Sequence, residues 1–153
     1  MLPRAEVSTV TNLELAQALR DLRDYLIIAG YEESHATRYT HISRHIEKMA
    51  EPVAELAAEN RLREIPMVGE LIAQYIQEIL RDGISSKHRE WEHAAPLTVL
   101  ELIRVPLLGP KTARMLWQNH QIATLAQLQQ RVQTESFPGI GPKLRAAILT
   151  TRL

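Results

Sequence analysis

The chain has 153 residues, of which 45% are hydrophobic and 24% are charged, and these values are typical of one or two small globular domains. It contains no cysteine, which excludes disulfide bonds and thiolate metal sites and is typical of a reducing compartment. No apolar run approaches the roughly 20 residues of a membrane span, and no signal-peptide core follows Met1. We therefore expect a soluble cytoplasmic protein with no membrane partner.

The charges are unevenly distributed along the chain. The formal net charge is zero, yet residues 97–153 contain seven lysines and arginines and only two glutamates. This segment therefore carries +5, and residues 1–96 carry −5. Such an asymmetry indicates that the C-terminal third binds a polyanion. The alternative is chance, because a swing of this size in a short segment is not rare.

The first helical pattern begins shortly after the N-terminus. Residues 1–10 precede it and are predicted to be disordered. Thr11 and Glu14 have the spacing of a capping box, and Gly30 is predicted to end the helix that they open. The buried face of this helix is predicted to carry leucines at helical spacing, namely Leu15, Leu19, Leu22 and Leu26.

Further helical patterns follow, and runs of alternating apolar residues are absent, so the chain is predicted to be all-α. Thr98 and Glu101 are predicted to form a second capping box. The predicted helices lie at about residues 34–49, 53–58, 70–82, 86–95, 111–119, 124–132 and 142–151. The helix at 70–82 is predicted to bury Leu71, Ile72, Tyr75, Ile76, Ile79 and Leu80 and to stop at Gly83.

Three segments place a proline-containing turn directly before a helical pattern. The most complete runs from Phe137 to Ile148 and contains Pro-Gly-Ile-Gly-Pro-Lys, and weaker copies run from Ile65 to Ala73 and from Val105 to Ala113. Its two glycines allow a positive φ and the close approach of another molecule. The helix start behind the turn presents unpaired N–H groups and the positive end of its dipole, which together form a phosphate site.

These segments resemble helix-hairpin-helix elements, which bind the DNA backbone through hairpin amides. Their order along the chain resembles the N-terminal region of bacterial family X DNA polymerases. The residues that carry the resemblance are Asn12 to Ala16, Arg38-Tyr39, Ile65-Pro66, Ala73, Glu78 to Leu80, Gly83, Leu102, Gly109 to Ala113, Leu125 to Leu128 and Phe137 to Gly141. The resemblance implies a four-helix, lyase-like bundle with one degenerate hairpin at 11–84, a linker helix at 85–96 and a tandem helix-hairpin-helix domain at 97–153.

The chain departs from the polymerase family in its catalytic residues. Its only aspartates are Asp21, Asp24 and Asp82, with no Asp-x-Asp pair for two magnesium ions, so polymerase activity is not expected. The position of the lysine nucleophile that some family members use as a lyase is Tyr75, and the supporting lysine position is Leu71. We therefore predict no catalytic residues and no enzymatic activity.

The predicted DNA-binding residues lie in the second and third turns. Backbone contacts of this kind position DNA without reading its bases. The candidates are Gly139, Ile140, Gly141, Lys143, Leu144 and Arg145 in the third turn, and Gly109, Lys111, Thr112 and Arg114 in the second. The first turn, with Met67, Glu70 and Leu71, places apolar bulk and an acid at the anion site and is predicted to be structural.

No cofactor is predicted, apart from a monovalent cation that the family resemblance implies at the carbonyls of Glu135, Phe137 and Ile140. His41 and His45 share a helix face but lack a further ligand motif, so no metal site is predicted. Trp91 is predicted to pack in the core or linker, with base stacking as the alternative.

The leading function is a non-catalytic, sequence-nonspecific DNA-binding protein that grips duplex or gapped DNA, with a role in DNA repair implied by the resemblance alone. One alternative is a protein–protein adaptor in which the hairpins only hold the fold and the acidic N-terminal domain contacts a protein partner. A second alternative is a residual deoxyribose-phosphate lyase.

Overall fold

The computed structural model describes residues 7–153, and the regular secondary structure in this part of the chain is entirely helical, which confirms the predicted all-α fold. The α-helices are α1 Asn12–Ala29, α2 Glu33–Lys48, α3 Val53–Ala58, α4 Glu70–Asp82, α5 Ser86–Glu90, α6 Pro110–His120, α7 Leu125–Arg131 and α8 Pro142–Thr150, with 3-10 helices at Leu62–Glu64 and Leu97–Arg104. None of the helices in residues 7–153 is both long and apolar enough to cross a bilayer.

The chain forms two compact units, and α1 contributes to both. Among the described residues, the first unit contains 7–23 and Ser34–Glu90, and the second contains Asp24–Glu33 and Trp91–Leu153. The sequence placed residues 24–33 in the N-terminal domain, whereas they cluster with the C-terminal residues in the structure.

The start of α1 is capped as the sequence predicts. The Glu14 N–H donates to Thr11 Oγ1 at 3.2 Å, and the Thr11 N–H donates to Glu14 Oε1 at 3.1 Å. Asn12, which follows Thr11, caps a second helix, since its Oδ1 accepts from the Val53 N–H at 2.8 Å at the beginning of α3. These bonds fix the starts of two helices in the first unit. Before α1, the Ser8 hydroxyl donates to the Leu80 carbonyl.

The buried faces of α1 and α4 follow the predicted helical pattern, with two exceptions. All four predicted leucines of α1 are fully buried, and α4 buries Ile72, Tyr75, Ile76 and Ile79 and ends at Gly83, whose φ is 79°. Leu71 was predicted to be buried and is 59% exposed, so this prediction is wrong, and Leu80, which was also predicted to be buried, is half-buried. The first turn of α4 buries Ile72 and leaves Leu71 on its exposed side, although Leu71 shares the helical spacing of Tyr75.

The core of the second unit joins the end of α1 to the C-terminal helices. The Tyr25 hydroxyl is buried and donates to the Ala95 carbonyl at 2.6 Å. Gly30 ends α1 as predicted, with a φ of 108° and the paired bonds of a Schellman motif. The buried side chains around Tyr25 include Ile28, Val99, Leu102, Leu108, Ala113, Leu116, Leu125, Leu128, Phe137, Leu144 and Ile148.

Two predicted features of the segment before the second turn are wrong. The helix at 86–95 is shorter, since α5 ends at Glu90 and turns follow it. Thr98 and Glu101 do not form a capping box, because the Glu101 carboxylate accepts from the Leu125 N–H at 3.1 Å, at the start of α7. A tertiary hydrogen bond within the second unit has replaced the local one.

Candidate nucleic-acid interface

Three hairpins, each a turn followed by a helix, share one backbone geometry. In every turn the N–H of the fourth residue donates to the carbonyl of the first, at 3.1, 3.2 and 3.1 Å in chain order, and proline is second. Hairpin 1 has the turn Ile65-Pro66-Met67-Val68, hairpin 2 has Val105-Pro106-Leu107-Leu108 and hairpin 3 has Phe137-Pro138-Gly139-Ile140.

The third residue of each turn has a left-handed backbone, as in a type II turn. The φ angles are 70° at Met67, 73° at Leu107 and 81° at Gly139. A non-glycine residue in this region costs about 1 kcal/mol. Only hairpin 3 adopts the turn without that cost, and the other two keep it in spite of their side chains.

A glycine precedes the helix of each hairpin, but the backbone does not require it. Gly69, Gly109 and Gly141 have φ angles of −92°, −91° and −86°, so the positive φ that the two glycines of hairpin 3 allow is used at Gly139 and not at Gly141. A Cβ added at any of the three would meet no heavy atom of the described chain within 4 Å. These glycines therefore leave bare backbone open to the close approach of another molecule.

The helix of hairpin 3 presents N–H groups at this open position. Within residues 7–153 no side chain caps the start of α8, and the first intrahelical bond runs from the Arg145 N–H to the Gly141 carbonyl, at 2.9 Å. The N–H groups of Lys143 and Leu144 precede this bond and lack intrahelical acceptors. The Leu144 side chain is buried and anchors the helix.

Two residues of hairpin 3 that were predicted to bind DNA, Ile140 and Arg145, form hydrogen bonds within the protein instead. The Ile140 N–H closes the turn onto the Phe137 carbonyl, so it is not offered to a ligand. Arg145 is exposed, but its Nε donates to the Val132 carbonyl at 3.1 Å, which directs the guanidinium toward the loop before the turn. Lys143 is exposed at the helix start and is the cation best placed for a phosphate there.

The implied monovalent-cation site at the carbonyls of Glu135, Phe137 and Ile140 stays a prediction. The Phe137 carbonyl accepts the turn hydrogen bond, and Arg145 lines the same small cavity. The charge of its guanidinium opposes a second cation there.

Hairpin 2 repeats the helix start with a weaker charge. Its first intrahelical bond joins the Ala113 N–H to the Gly109 carbonyl at 3.0 Å, so Lys111 and Thr112 supply the free N–H groups. Lys111 Nζ lies 3.4 Å from the Glu33 carboxylate. Arg114, one turn along, donates from Nε to Gln118 Oε1 at 3.2 Å.

Hairpin 1 differs from the others in its side chains. Met67 at the turn is 57% exposed and Leu71 is 59% exposed, and the acidic Glu70 occupies the first turn of α4. A carboxylate at a helix N-terminus competes with an incoming phosphate. This arrangement suits the prediction that hairpin 1 has a structural role.

Comparison with protein families separates the part of the chain that contains hairpin 1 from the part that contains hairpins 2 and 3. Residues 10–85 match a helix-hairpin-helix domain, and residues 99–149 match a SAM-like helix-hairpin-helix tandem. The chain carries two helix-hairpin-helix domains. Hairpin 1 lies in the single domain, and hairpins 2 and 3 form the tandem. A comparison with curated proteins finds no match.

The charge of the compact unit that contains the tandem is lower than the sequence suggested. Residues 24–33 and 91–96 add Asp24, Glu32, Glu33 and Glu92 and no lysine or arginine, so the second unit carries +1 rather than +5. The overall field is therefore weak, and local groups at the helix starts decide where an anion binds.

The contact of Glu33 with the tandem was missed in the sequence analysis. The sequence places it near a predicted helix start, and no local pattern connects it with Lys111, 78 residues further along. Only the folding of residues 24–33 into the second unit brings the two charges together.

Two tryptophans, Trp91 and Trp117, pack against the core of the second unit, and the paired histidines of the sequence lie on the surface of α2. Trp91 meets Tyr31 edge to face, with ring centroids 5.3 Å apart, and Trp117 Nε1 donates to the Ala94 carbonyl at 3.0 Å. Among residues 7–153 no group of three or more histidines and carboxylates could hold a metal ion, and His41 and His45 are exposed on α2.

Proposed function

We propose that the protein binds DNA through the phosphate backbone, without catalysis and without reading base sequence, and that hairpin 3 makes the main contact. The observation that carries this proposal is the start of α8. A glycine turn, an open glycine cap, free N–H groups and an exposed lysine converge there. Helix-hairpin-helix domains generally bind DNA, and the chain carries a tandem of them.

The mechanism follows from the helix start. A phosphate oxygen would accept from the N–H groups of Lys143 and Leu144, with the positive end of the α8 dipole behind them. The open space at Gly141 permits this approach, and the Lys143 ammonium would pair with the same phosphate. Contacts of this kind recognise the backbone of any sequence, which is why we expect no base preference.

The preference for duplex or gapped DNA and the role in repair rest on the resemblance to family X polymerases. A cytoplasmic location rests instead on the cysteine-free composition and stays a prediction. The absence of catalysis is supported by Tyr75, whose buried phenol stands at the lysine position and cannot form an imine. Without that lysine, the described residues offer no amine at the position that the resemblance assigns to the lyase nucleophile.

A protein–protein adaptor is the second candidate function. The exposed side chains of Met67 and Leu71 on hairpin 1 favour it, because large apolar groups at adjacent surface positions suit a protein contact better than a phosphate. The two functions are compatible, since they use different domains.

Binding to a labelled DNA duplex at two salt concentrations tests the proposed function. We expect binding at low salt, and a slope of log K against log salt of about −2 or steeper, since each phosphate contact contributes about −0.9. Two duplexes of unrelated sequence should bind alike. Failure to bind either duplex at low salt would leave the adaptor as the better explanation of the fold.

Replacing Glu33 by glutamine is expected to tighten duplex binding two- to fivefold. Lys111 is held 3.4 Å from the Glu33 carboxylate, and this exposed pair must loosen before Lys111 meets a phosphate. Exposed pairs of this kind are worth about 1 kcal/mol or less, which sets the upper limit of the gain. Anisotropy titration of Glu33→Gln against wild type measures it.

Glu32→Gln is the matched control for this variant, because it removes the same charge one residue away. The Glu33 variant should gain more affinity than the Glu32 variant. Equal gains would show that the effect comes from net charge rather than from the contact with Lys111.

A further inference from the structure

Leu107 is the residue of the tandem domain for which neither the fold nor phosphate binding provides a reason. It holds a φ of 73°, where glycine is favoured, and its side chain is 65% exposed. The fold therefore bears both backbone strain and an apolar group in water at one position. Strain of this kind persists where the surrounding structure imposes it, and it is found most often at sites of function.

The surroundings of Leu107 favour nucleic acid over protein. From Val105 to His120 the chain contains Lys111 and Arg114 and no carboxylate. The open glycine cap at Gly109 and the free N–H groups behind it belong to the same hairpin. An apolar tip beside a phosphate site has a fitting ligand in DNA, where leucine side chains enter unstacked base steps as wedges.

We propose that Leu107 makes hairpin 2 selective for distorted DNA, by packing its side chain against bases that are already unstacked. This inference rests on the proposed function. On intact duplex the leucine weakens the contact of hairpin 2 without abolishing it, because its side chain stands where hairpin 3 has Gly139. On DNA with a local distortion the same side chain leaves water and contacts a base. Because the bases at the distortion are already unstacked, binding does not have to supply the free energy of unstacking them.

The test compares one labelled duplex with the same duplex carrying a single unpaired nucleotide at its centre. We expect wild type to bind the bulged DNA about tenfold more tightly, the factor that burial of one leucine side chain supplies. Leu107→Gly should bind the intact duplex as tightly as wild type or up to fivefold more tightly, and it should lose most of the preference for the bulge. Leu107→Met, which keeps an apolar side chain, should retain the preference.

Met67→Gly is the matched control, since it relieves the same strain in hairpin 1. It should leave the preference for the bulge unchanged. A second readout is 2-aminopurine placed beside the bulge: its fluorescence should change on saturation with wild type and not with Leu107→Gly.

Three other binding results would contradict the inference, and they differ in whether the proposed function survives. Equal binding of both DNAs by wild type, as expected if Leu107 contacts a protein instead, would overturn it while leaving the proposed function intact. A preference that survives in Leu107→Gly would overturn it too, because the selectivity would arise elsewhere. Absence of binding to either DNA would overturn the proposed function, and this inference with it.

Discussion

Gly141→Val is expected to weaken binding to duplex DNA by at least tenfold while leaving the protein folded. The φ of Gly141 is −86°, which valine adopts, and a Cβ there meets no heavy atom of the described chain within 4 Å. The valine side chain would occupy the space through which a phosphate reaches the N–H groups of Lys143 and Leu144. Hydrogen bonds to a charged group contribute about 1.5–3 kcal/mol each, so the loss of one accounts for about tenfold or more.

Gly69→Val and Gly109→Val are matched controls for this variant. All three glycines have the same extended backbone and the same open space, so the cost of replacing a glycine helix cap is shared. We expect the affinity loss to be largest at Gly141, smaller at Gly109 and absent at Gly69. Thermal unfolding of the three variants should show similar changes. Equal affinities for the Gly141 and Gly69 variants would contradict the backbone-amide mechanism.

The helices could be predicted from the sequence because their signals are local. Leucine spacing in α1, the capping box at Thr11, and Gly30 and Gly83 as helix ends all act within a few residues, and the structure confirms each of them. The prediction of a second capping box was wrong because the Glu101 carboxylate accepts from the N–H of Leu125, 24 residues away, instead of from a local N–H. Spacing alone does not distinguish a local acceptor from a tertiary one.

The sequence predicted where the site lies along the chain, but not all of its backbone angles and hydrogen bonds. The three hairpins were found from their proline and glycine residues, but only the structure shows that Met67 and Leu107 keep the left-handed turn at its energetic cost. In the same way, Ile140 and Arg145 fit the pattern by residue type. The Ile140 N–H closes the turn onto Phe137, and the Arg145 side chain bonds Val132 before the turn, and residue type alone specifies neither bond.

The extent of each compact unit could not be read from the sequence either. The helix α1 runs without a break from Asn12 to Ala29, yet its last turns belong to the second unit. No glycine, proline or change of composition marks residue 24. The consequence is functional, because the loop after α1 brings Glu33 to Lys111 and lowers the charge of the unit that contains the tandem.

Acidification from pH 7 to pH 4 is expected to lower the free energy of unfolding through His88. This side chain is 5% exposed, and its Nδ1 accepts from the Ser85 N–H at 3.0 Å. Burial, and to a smaller degree Arg89, lowers the pKa of His88 to about 4 from its ordinary 6.5, although Asp21 acts in the opposite direction. A proton on Nδ1 would also remove the acceptor of the Ser85 hydrogen bond.

Between pH 6.5 and pH 4 the unfolded chain binds this proton and the folded chain does not, so stability rises with pH across that window and is lost as the pH falls. At pH 4 this effect of His88 lowers the free energy of unfolding by an amount on the order of 3 kcal/mol. His88→Asn keeps an acceptor for Ser85 but cannot be protonated, so its unfolding free energy from urea titrations should fall less over the same window. Carboxylates that titrate below pH 5 are common to both proteins and cancel in the difference. Parallel pH profiles for wild type and His88→Asn would show that the buried histidine is protonated without cost and that Ser85 does not depend on its neutral form.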